Sequence, residues 1–138
     1  MRAIGFSFTK LSAERNKISD KEIKISTDIK ITDVNQQKSD AIKSKGKLLE
    51  VFFEYIVNYT PDFAKIAVEG VVLLDVDSKL ADETLKQWKK KNTPEEFRLF
   101  VINIIMKKST LKALNLSDEL NLPLHVPFPV LRKNQQEN

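Results

Sequence analysis

Apolar and polar side chains alternate with a period of two along the first part of the chain. Residues 3–9 set isoleucine and phenylalanine against small or hydroxyl side chains, and residues 23–32 set four isoleucines against lysine, serine, aspartate and threonine. Such alternation is typical of strands that bury one face. We therefore predict two strands, each with one face in the core and the other in water. The polar residues 35–47 that follow predict an exposed loop.

Two longer strands are predicted over residues 48–59 and 63–76, because the sequence Tyr-Thr-Pro-Asp-Phe between them indicates a tight turn. Pro61 suits the second position of a type I turn. With Thr60 opposite Phe63, the apolar rows of both strands fall on one face, as a stable register requires. A long hairpin is the result.

The opposite face of this hairpin mixes apolar and charged side chains. The same register sets Glu54 opposite Glu69. Two opposed carboxylates are unfavourable unless a cation lies near them. We therefore predict that Lys24 or Lys30 supplies that cation, if the second strand is a neighbour of the hairpin.

The period changes to that of a helix after residue 77. Ser78 is predicted to cap a short helix whose apolar face carries Ala81, Leu85 and Trp88. The sequence Thr93-Pro94-Glu95-Glu96 matches a capping box with proline at the first helical position, which predicts the start of a second helix.

The second helix has a wider apolar arc than one sheet face needs. Apolar side chains recur on more than one face over residues 97–106. A second burial partner is therefore expected, either the C-terminal segment or another subunit of a homo-oligomer. Residues 111–131 include three prolines, which prevent a regular helix in the last third of that segment. This apolar segment is predicted to lie against another part of the protein.

Composition predicts one domain over residues 1–138. A chain of 138 residues buries roughly two-thirds of its unfolded surface, which is enough for a core without staples. It has no cysteine, which suits a reducing compartment, and its N-terminus does not read as a signal peptide. We therefore expect a cytoplasmic protein without a membrane span. The net charge of +4 arises from many lysines offset by almost as many acids.

Familiar catalytic and ligand-binding motifs are absent from the sequence. It contains no phosphate-binding glycine loop, dinucleotide fingerprint, serine-hydrolase elbow, zinc-protease motif or calcium loop. His125 is the only histidine, so no ordinary zinc site is expected. Glu50, Glu54 and Glu69 are interpreted as surface charges rather than as an acid/base cluster. We expect neither an enzyme nor a cofactor.

Two lysine-rich stretches raise the question of nucleic-acid binding. The loop over 38–47 has no interleaved aromatic residue, and the run over 86–91 has only Trp88. Single-strand binders combine cations with several aromatic platforms. Both stretches are therefore interpreted as solvated charge, and nucleic acid is not expected as the partner.

The order of elements resembles the SecB family of export chaperones. The segments that carry the resemblance are IGFSF near the N-terminus, LLEVFFEYIVNYTPDFAKIAVEGVVLL in the hairpin, PEEFRLFVINIIMKK in the helix and LNLPLHVPFPVL after it. The resemblance implies an α+β fold with a Greek-key-like, four-stranded antiparallel sheet, helices on one face, and assembly as a dimer of dimers. It also implies a holdase that needs no ATP and keeps unfolded chains from aggregating.

One feature departs from the family. Bacterial SecB proteins carry an acidic surface for the translocase motor, whereas this chain is basic, so engagement of that motor is not carried over. The natural client, whether an exported protein or an antitoxin, stays open.

For a holdase, we predict client contacts on apolar side chains of the mixed hairpin face, the first strand and the C-terminal segment. These residues are Phe6, Phe8, Phe52, Ile56, Val71, Leu122, Leu124, Val126, Phe128 and Leu131. The same residues are also ordinary candidates for core or subunit interface. The alternative function is an oligomeric adaptor that binds one specific partner protein.

Overall fold

The computed structural model describes residues 1–17, 22–38, 46–131 and 133. In this part of the chain four strands precede two helices: β1 (Arg2–Arg15), β2 (Lys24–Gln37), β3 (Gly46–Thr60), β4 (Ala64–Asp77), α1 (Ser78–Trp88) and α2 (Glu95–Glu119). The strands form one antiparallel sheet in the order β1-β4-β3-β2. Because β1 lies beside β4 and not beside β2, the order is that of a Greek key. The predicted α+β architecture is confirmed.

The predicted register of the β3–β4 hairpin is also confirmed. Leu49 faces Leu74, Val57 faces Ile66, and Tyr59 faces the first residue of β4. Alternate side chains of both strands are almost fully buried on the face that the helices cover. Each large apolar side chain buried in this way contributes about 1.5–3 kcal/mol. This face is the core of the protein.

The turn between β3 and β4 differs from the predicted type I turn. The Phe63 N–H donates to the Tyr59 carbonyl at 3.0 Å, so the turn spans one residue more than a type I turn. The Thr60–Pro61 peptide bond is cis, and Asp62 has a φ of 48°, a left-handed conformation that aspartate tolerates. Asn16, after β1, donates its side-chain N–H to the Asp62 carbonyl at 2.8 Å. The turn is therefore held by the chain that follows β1.

Charges alternate in a row across the mixed face of the sheet. Lys30 of β2 lies opposite Glu54 of β3, Glu54 lies opposite Glu69 of β4, and Glu69 lies opposite Lys10 of β1. Of the two lysines predicted as the nearby cation, Lys30 lies opposite Glu54, whereas Lys24 lies opposite Thr60. Lys10, which follows directly after the strand predicted over residues 3–9, provides a second cation beside Glu69. The unfavourable carboxylate pair is thus flanked by a lysine on each side.

The strand ends extend further than the sequence pattern indicated. β1 continues to Arg15, well beyond the alternating residues 3–9. The predicted loop over 35–47 is wrong at both ends, since Asn35–Gln37 belong to β2 and Gly46 begins β3. Residues 39–45 of that predicted loop lie outside the described residues. Polar residues can extend β1 and β2 because both are edge strands of the sheet, with about half of their surface in water.

Both predicted helix starts are one residue off. Asp77, not Ser78, is the N-cap of α1, and its carboxylate accepts the Leu80 N–H at 3.2 Å. The N-cap of α2 is Pro94, whose φ of −58° and ψ of 143° are extended rather than helical, and it makes no side-chain cap hydrogen bond. The Thr93 hydroxyl therefore sits one residue too far out to complete the predicted capping box. Glu95 and Glu96 still place negative charge in the first turn, where the helix dipole favours it.

Helix α2 buries one side chain in every four along its length. The buried positions are Phe97, Val101, Ile105, Ser109, Ala113 and Ser117. A spacing of four exceeds the 3.6 residues of a helical turn, so the buried stripe winds slowly around the helix. Leu99, Met106 and Leu111 lie off this stripe and are exposed by 51%, 44% and 64%. The predicted surplus of apolar surface on this helix is confirmed.

Gly70 in the middle of β4 allows a close approach that no other residue permits. A Cβ atom at this position would lie 2.5 Å from the Ser7 carbonyl oxygen and 2.7 Å from Cζ of Phe53. We therefore expect Gly70→Ala to lower the free energy of unfolding by about 1–3 kcal/mol, because backbone and a buried ring must both move. Urea denaturation measures the change.

Gly5→Ala is the matched control, since a Cβ there meets Leu73 at 3.4 Å, an ordinary contact. It is expected to leave stability unchanged or to raise it by up to about 1 kcal/mol. Equal losses in the two variants would contradict this account of Gly70.

Candidate functional site

A groove lies along β2, at the edge of the sheet. It has a volume of 630 Å³ and is bounded by β2, the end of α1, the turn between the helices and the start of α2. We call it the edge groove. Its lining residues are Ile29, Lys30, Ile31, Thr32, Trp88, Lys91, Asn92, Thr93, Arg98 and Ile102.

A bulge in β2 positions the tryptophan of this groove. The β2–β3 register shifts by one residue between Ile31 and Asp33, as expected where an extra residue is inserted in a strand. Just after the shift, Asp33 Oδ1 accepts the Trp88 indole N–H at 3.2 Å and the Val34 backbone N–H at 2.9 Å. The indole N–H is therefore satisfied, and the ring is fixed against the edge strand.

Lys91 covers one face of the tryptophan. Its Nζ lies 4.9 Å from the centre of the Trp88 ring, within cation–π range. The backbone of Lys91 has a φ of 59°, a left-handed conformation that normally favours glycine. This turn closes α1 through hydrogen bonds from Lys91 N–H to the Trp88 carbonyl and from Asn92 N–H to the Gln87 carbonyl. A lysine is thus held in a strained backbone position with its charge on the groove's aromatic ring.

The groove combines an apolar floor with a positive rim. Ile29, Ile31, Ile102 and Trp88 are half-buried, so each still presents apolar surface. Lys30, Lys91 and Arg98 are exposed cations of the lining. Because β2 pairs with β3 on one side and is an outer strand of the described sheet, its other edge lies beside the groove. Such a site suits an extended polypeptide that carries apolar and acidic side chains.

The predicted contact residues of β1 lie on the helix-covered face, at the far edge of the sheet. Phe6 packs against Phe8 with ring centres 5.0 Å apart and against Phe53 at 5.4 Å. Lys112 of α2 places its Nζ 6.0 Å from the Phe8 ring. The structure therefore brings these two phenylalanines together beside the core.

The predicted contact residues of the hairpin lie on the opposite, mixed face. Phe52 and Val71 are direct cross-strand partners, and Ile56 faces Ala67. Phe52, Ile56 and Val71 are each half-buried. Ile56 also lines a shallow pocket of 470 Å³ among Glu54, Glu69 and other charged residues of this face. We call this surface the open face.

The C-terminal residues 122–131, which we call the strap, follow a well-defined helix end. Asn121 has a φ of 52°, its N–H donates to the Asp118 carbonyl at 3.1 Å, and the Leu122 N–H donates to the Ser117 carbonyl at 2.8 Å. These two bonds form a Schellman motif with asparagine in place of the usual glycine. Leu122 is only 5% exposed and belongs to the core.

The strap then crosses β3, where two tyrosines meet it. The Tyr59 hydroxyl donates to the Pro123 carbonyl at 2.6 Å, and the Tyr55 hydroxyl lies 2.6 Å from His125 Nε2. Beyond this point the strap is open to water, because Phe128 is 66% exposed and Leu131 is 81% exposed. Leu124 is 38% exposed and Val126 is half-buried.

The ten residues predicted from the sequence therefore fall in three separate places, and none of them lines the edge groove. The groove was missed because Trp88 was interpreted as part of the apolar face of a surface helix and the lysines around it as solvated charge. The available signal was the tryptophan itself, since it is the only one in the chain and stands immediately before the helix-ending turn.

Comparisons with known proteins bear on the fold. No protein-family model matches the chain, and no curated protein matches it by sequence. Among solved structures, it is similar to the Mycobacterium tuberculosis Rv1957 SecB-like chaperone in complex with a ChAD peptide from the Rv1956 HigA1 antitoxin. The TM-score is 0.54 at 11% identity, over 96% of this chain and 91% of that one. The likeness shows that the two chains share a fold.

Within the described ranges, no helix is both long and apolar enough to cross a membrane. The same residues contain no cluster of three or more histidine, aspartate or glutamate side chains that would hold a metal ion.

Proposed function

We propose that this protein is an ATP-independent chaperone, a holdase that binds non-native polypeptides in extended form. The observation that carries the proposal is the edge groove, in which an outer strand, an apolar floor and a positive rim stand side by side. The complex of its structural neighbour with an antitoxin peptide supports a polypeptide as the ligand. The basic charge of this chain leaves the client open between an exported protein and an antitoxin.

The outer strand accounts for binding that is independent of sequence. An extended client segment adds to a sheet edge through backbone hydrogen bonds, which every residue except proline provides. β2 is 14 residues long, so its outer edge is long enough for such pairing. Lysines along β2, including Lys24 and Lys30, oppose pairing between two copies of this strand.

The edge groove beside β2 accounts for a preference for some client segments over others. Alternate side chains of an added strand point to the same face, so every second client residue reaches Ile29, Ile31 and Trp88. Lys91 and Arg98 favour acidic residues on this side of the client, and Lys30, which lies opposite Glu54 on the mixed face, favours them among the others. We therefore propose clients that are apolar and acidic, held by contacts that weaken as salt screens the charges.

The open face and the remaining apolar residues extend the proposed contact surface. A long unfolded chain visits several weak sites at once, and linkage of such sites raises the overall affinity by ~10²–10⁴. The residues proposed for these further contacts are Phe6, Phe8, Phe52, Ile56, Val71, Leu122, Leu124, Val126, Phe128 and Leu131. Of these, Leu122 contributes mainly to packing, because it is buried in the core.

The exposed apolar side chains of α2 support assembly of several copies. Leu99 lies opposite the buried stripe in the first half of the helix, Met106 lies two turns further along on the same side as Leu99, and Leu111 lies opposite the stripe in the second half. We propose that a second copy covers these side chains, giving a homodimer or homotetramer. Assembly multiplies the number of edge grooves available to one client.

The second candidate function is an adaptor that binds one specific partner. The structural neighbour supports this function, because that chaperone is bound to a peptide from one named antitoxin. An adaptor would ignore unrelated denatured proteins, whereas a holdase would bind them.

We predict that the protein suppresses the aggregation of a chemically denatured, unrelated acidic protein on dilution, without nucleotide. Light scattering measures this at low and at high salt. Ile31→Glu is expected to reduce the protection several-fold, because it places a charge on the apolar floor. Lys91→Glu combined with Arg98→Glu is expected to weaken protection mainly at low salt.

Ile25→Glu is the matched control for the groove, since Ile25 lies on the same strand, is 38% exposed and does not line the groove. It is expected to protect as well as the unaltered protein. Equal losses for Ile25→Glu and Ile31→Glu would place binding elsewhere, and unchanged scattering with the unaltered protein would favour the adaptor.

A separate prediction concerns the open face and the assembly. Phe52→Glu and Ile56→Glu are expected to lower client affinity while the oligomer sediments as before, because the opposite side of the hairpin carries the core. Asn58→Glu, at a polar position of the same strand face, is expected to leave both unchanged. Sedimentation of the unaltered protein as a monomer would rule out the proposed assembly. Dissociation or unfolding of the Phe52 and Ile56 variants would instead assign this face to an interface or to the core.

A further inference from the structure

The strap is held over the sheet by few polar contacts. After the buried Leu122, the hydrogen bonds that fasten it to β3 are those from the Tyr59 hydroxyl to the Pro123 carbonyl and between the Tyr55 hydroxyl and His125 Nε2. The ring of His125 stands edge-on to the Tyr55 ring, with centres 5.9 Å apart. The residues that follow are mostly exposed. His125 is therefore the last firm attachment of the strap.

Only one of the two ring nitrogens of His125 is satisfied. Nε2 faces the Tyr55 hydroxyl, which also lies 2.9 Å from the Thr110 hydroxyl of α2. Nδ1 is buried and has no hydrogen-bond partner among the described residues. Either neutral tautomer fits this arrangement, because the Tyr55 hydroxyl both donates and accepts.

A protonated His125 does not fit the same arrangement. The imidazolium carries a proton on both nitrogens, so Nδ1 becomes a buried, charged donor that lacks an acceptor. Burial of an unpaired charged donor is far more costly than burial of a neutral one. Release of the strap into water removes this cost, and only the two hydrogen bonds to β3 must then be exchanged for water.

We propose that His125 is an acid-sensitive latch, which holds the strap on β3 when the ring is neutral and releases it when the ring is protonated. Release uncovers the hydroxyls of Tyr55 and Tyr59 and frees Leu124, Val126 and Phe128. The inference does not depend on client binding, since it concerns the strap of the protein alone.

The direction of the pH dependence follows from linkage. Burial lowers the pKa of His125 in the docked strap below its ordinary value of 6.5. The ring faces the Tyr55 hydroxyl of β3, which also bonds the Thr110 hydroxyl of α2, and Tyr59 follows on the same face of β3. Burial raises the pKa of both tyrosines, so both stay neutral in this range.

The released strap therefore binds more protons than the docked strap at any pH between the lowered pKa and 6.5. Docking is at full strength above pH 6.5 and weakens as the pH falls below it. The docking equilibrium is expected to fall by at most about tenfold for each pH unit in this window.

Two measurements on the intact protein test the latch. Proton NMR of the imidazole follows the titration of His125 without ambiguity, because the chain has no other histidine. Hydrogen exchange read by mass spectrometry, corrected for intrinsic rates, compares the strap with β3 at pH 7.5 and pH 5. We expect a His125 pKa below 6.5 and a several-fold faster exchange of the strap at pH 5, while β3 stays protected.

His125→Gln is the matched variant, since glutamine keeps a donor and an acceptor but does not titrate. Its strap is expected to exchange at nearly the same corrected rate at both pH values. A His125 pKa of 6.5 or above in the folded protein would overturn the latch. So would a strap that exchanges equally at both pH values, or loss of β3 protection at pH 5 together with the strap, since the latter is general acid unfolding. The NMR titration of the unaltered protein decides the question even if the variant fails to fold.

Discussion

The coincidence of two apolar rows in the β3–β4 hairpin is the constraint on which the rest of the structure depends. A slip of one residue in either strand would turn Val57 or Ile66 from the core to the mixed face. With the register fixed, one face of the sheet must be covered, and α1, α2 and the start of the strap cover it. The other face keeps a charge row in which lysines flank Glu54 and Glu69. Both the placement of the helices and the character of the open face follow from this one pairing.

The edge groove is a consequence of how α1 leaves the sheet. Asp77 caps the helix directly at the end of β4, and Lys47 of β3 pairs with Asp82 on its second turn. The helix therefore ends near β2, where the bulge turns Asp33 towards Trp88. An edge strand that would otherwise invite aggregation is thus bordered by a shaped groove with cations on its rim. These features together suit reversible capture of extended chains.

Local patterns predicted most of the fold but little of the site. The hairpin register could be predicted because a single pairing sets the alternate apolar positions from Leu49 to Tyr59 beside an apolar row of β4 on one face. The start of α2 was misplaced by one residue, since sequence alone does not reveal that Pro94 adopts an extended conformation. The groove brings residues of β2 together with Trp88 and Arg98, which are more than 50 positions away in the sequence. No local periodicity of the sequence predicts such a long-range contact. The hydroxyls of Tyr55 and Tyr59 likewise find partners in α2 and the strap, although in sequence both tyrosines look like ordinary core positions.

The most direct test of the central claim is a footprint of a bound client by hydrogen exchange. The protein is mixed with a permanently unfolded, acidic polypeptide, and exchange is compared with and without it. The account predicts new protection along β2 and in the turn between α1 and α2, where Lys91 and Asn92 lie, at a concentration that also suppresses aggregation. Client binding with no change in β2, or with protection confined to other elements, would contradict the edge groove as the site of capture.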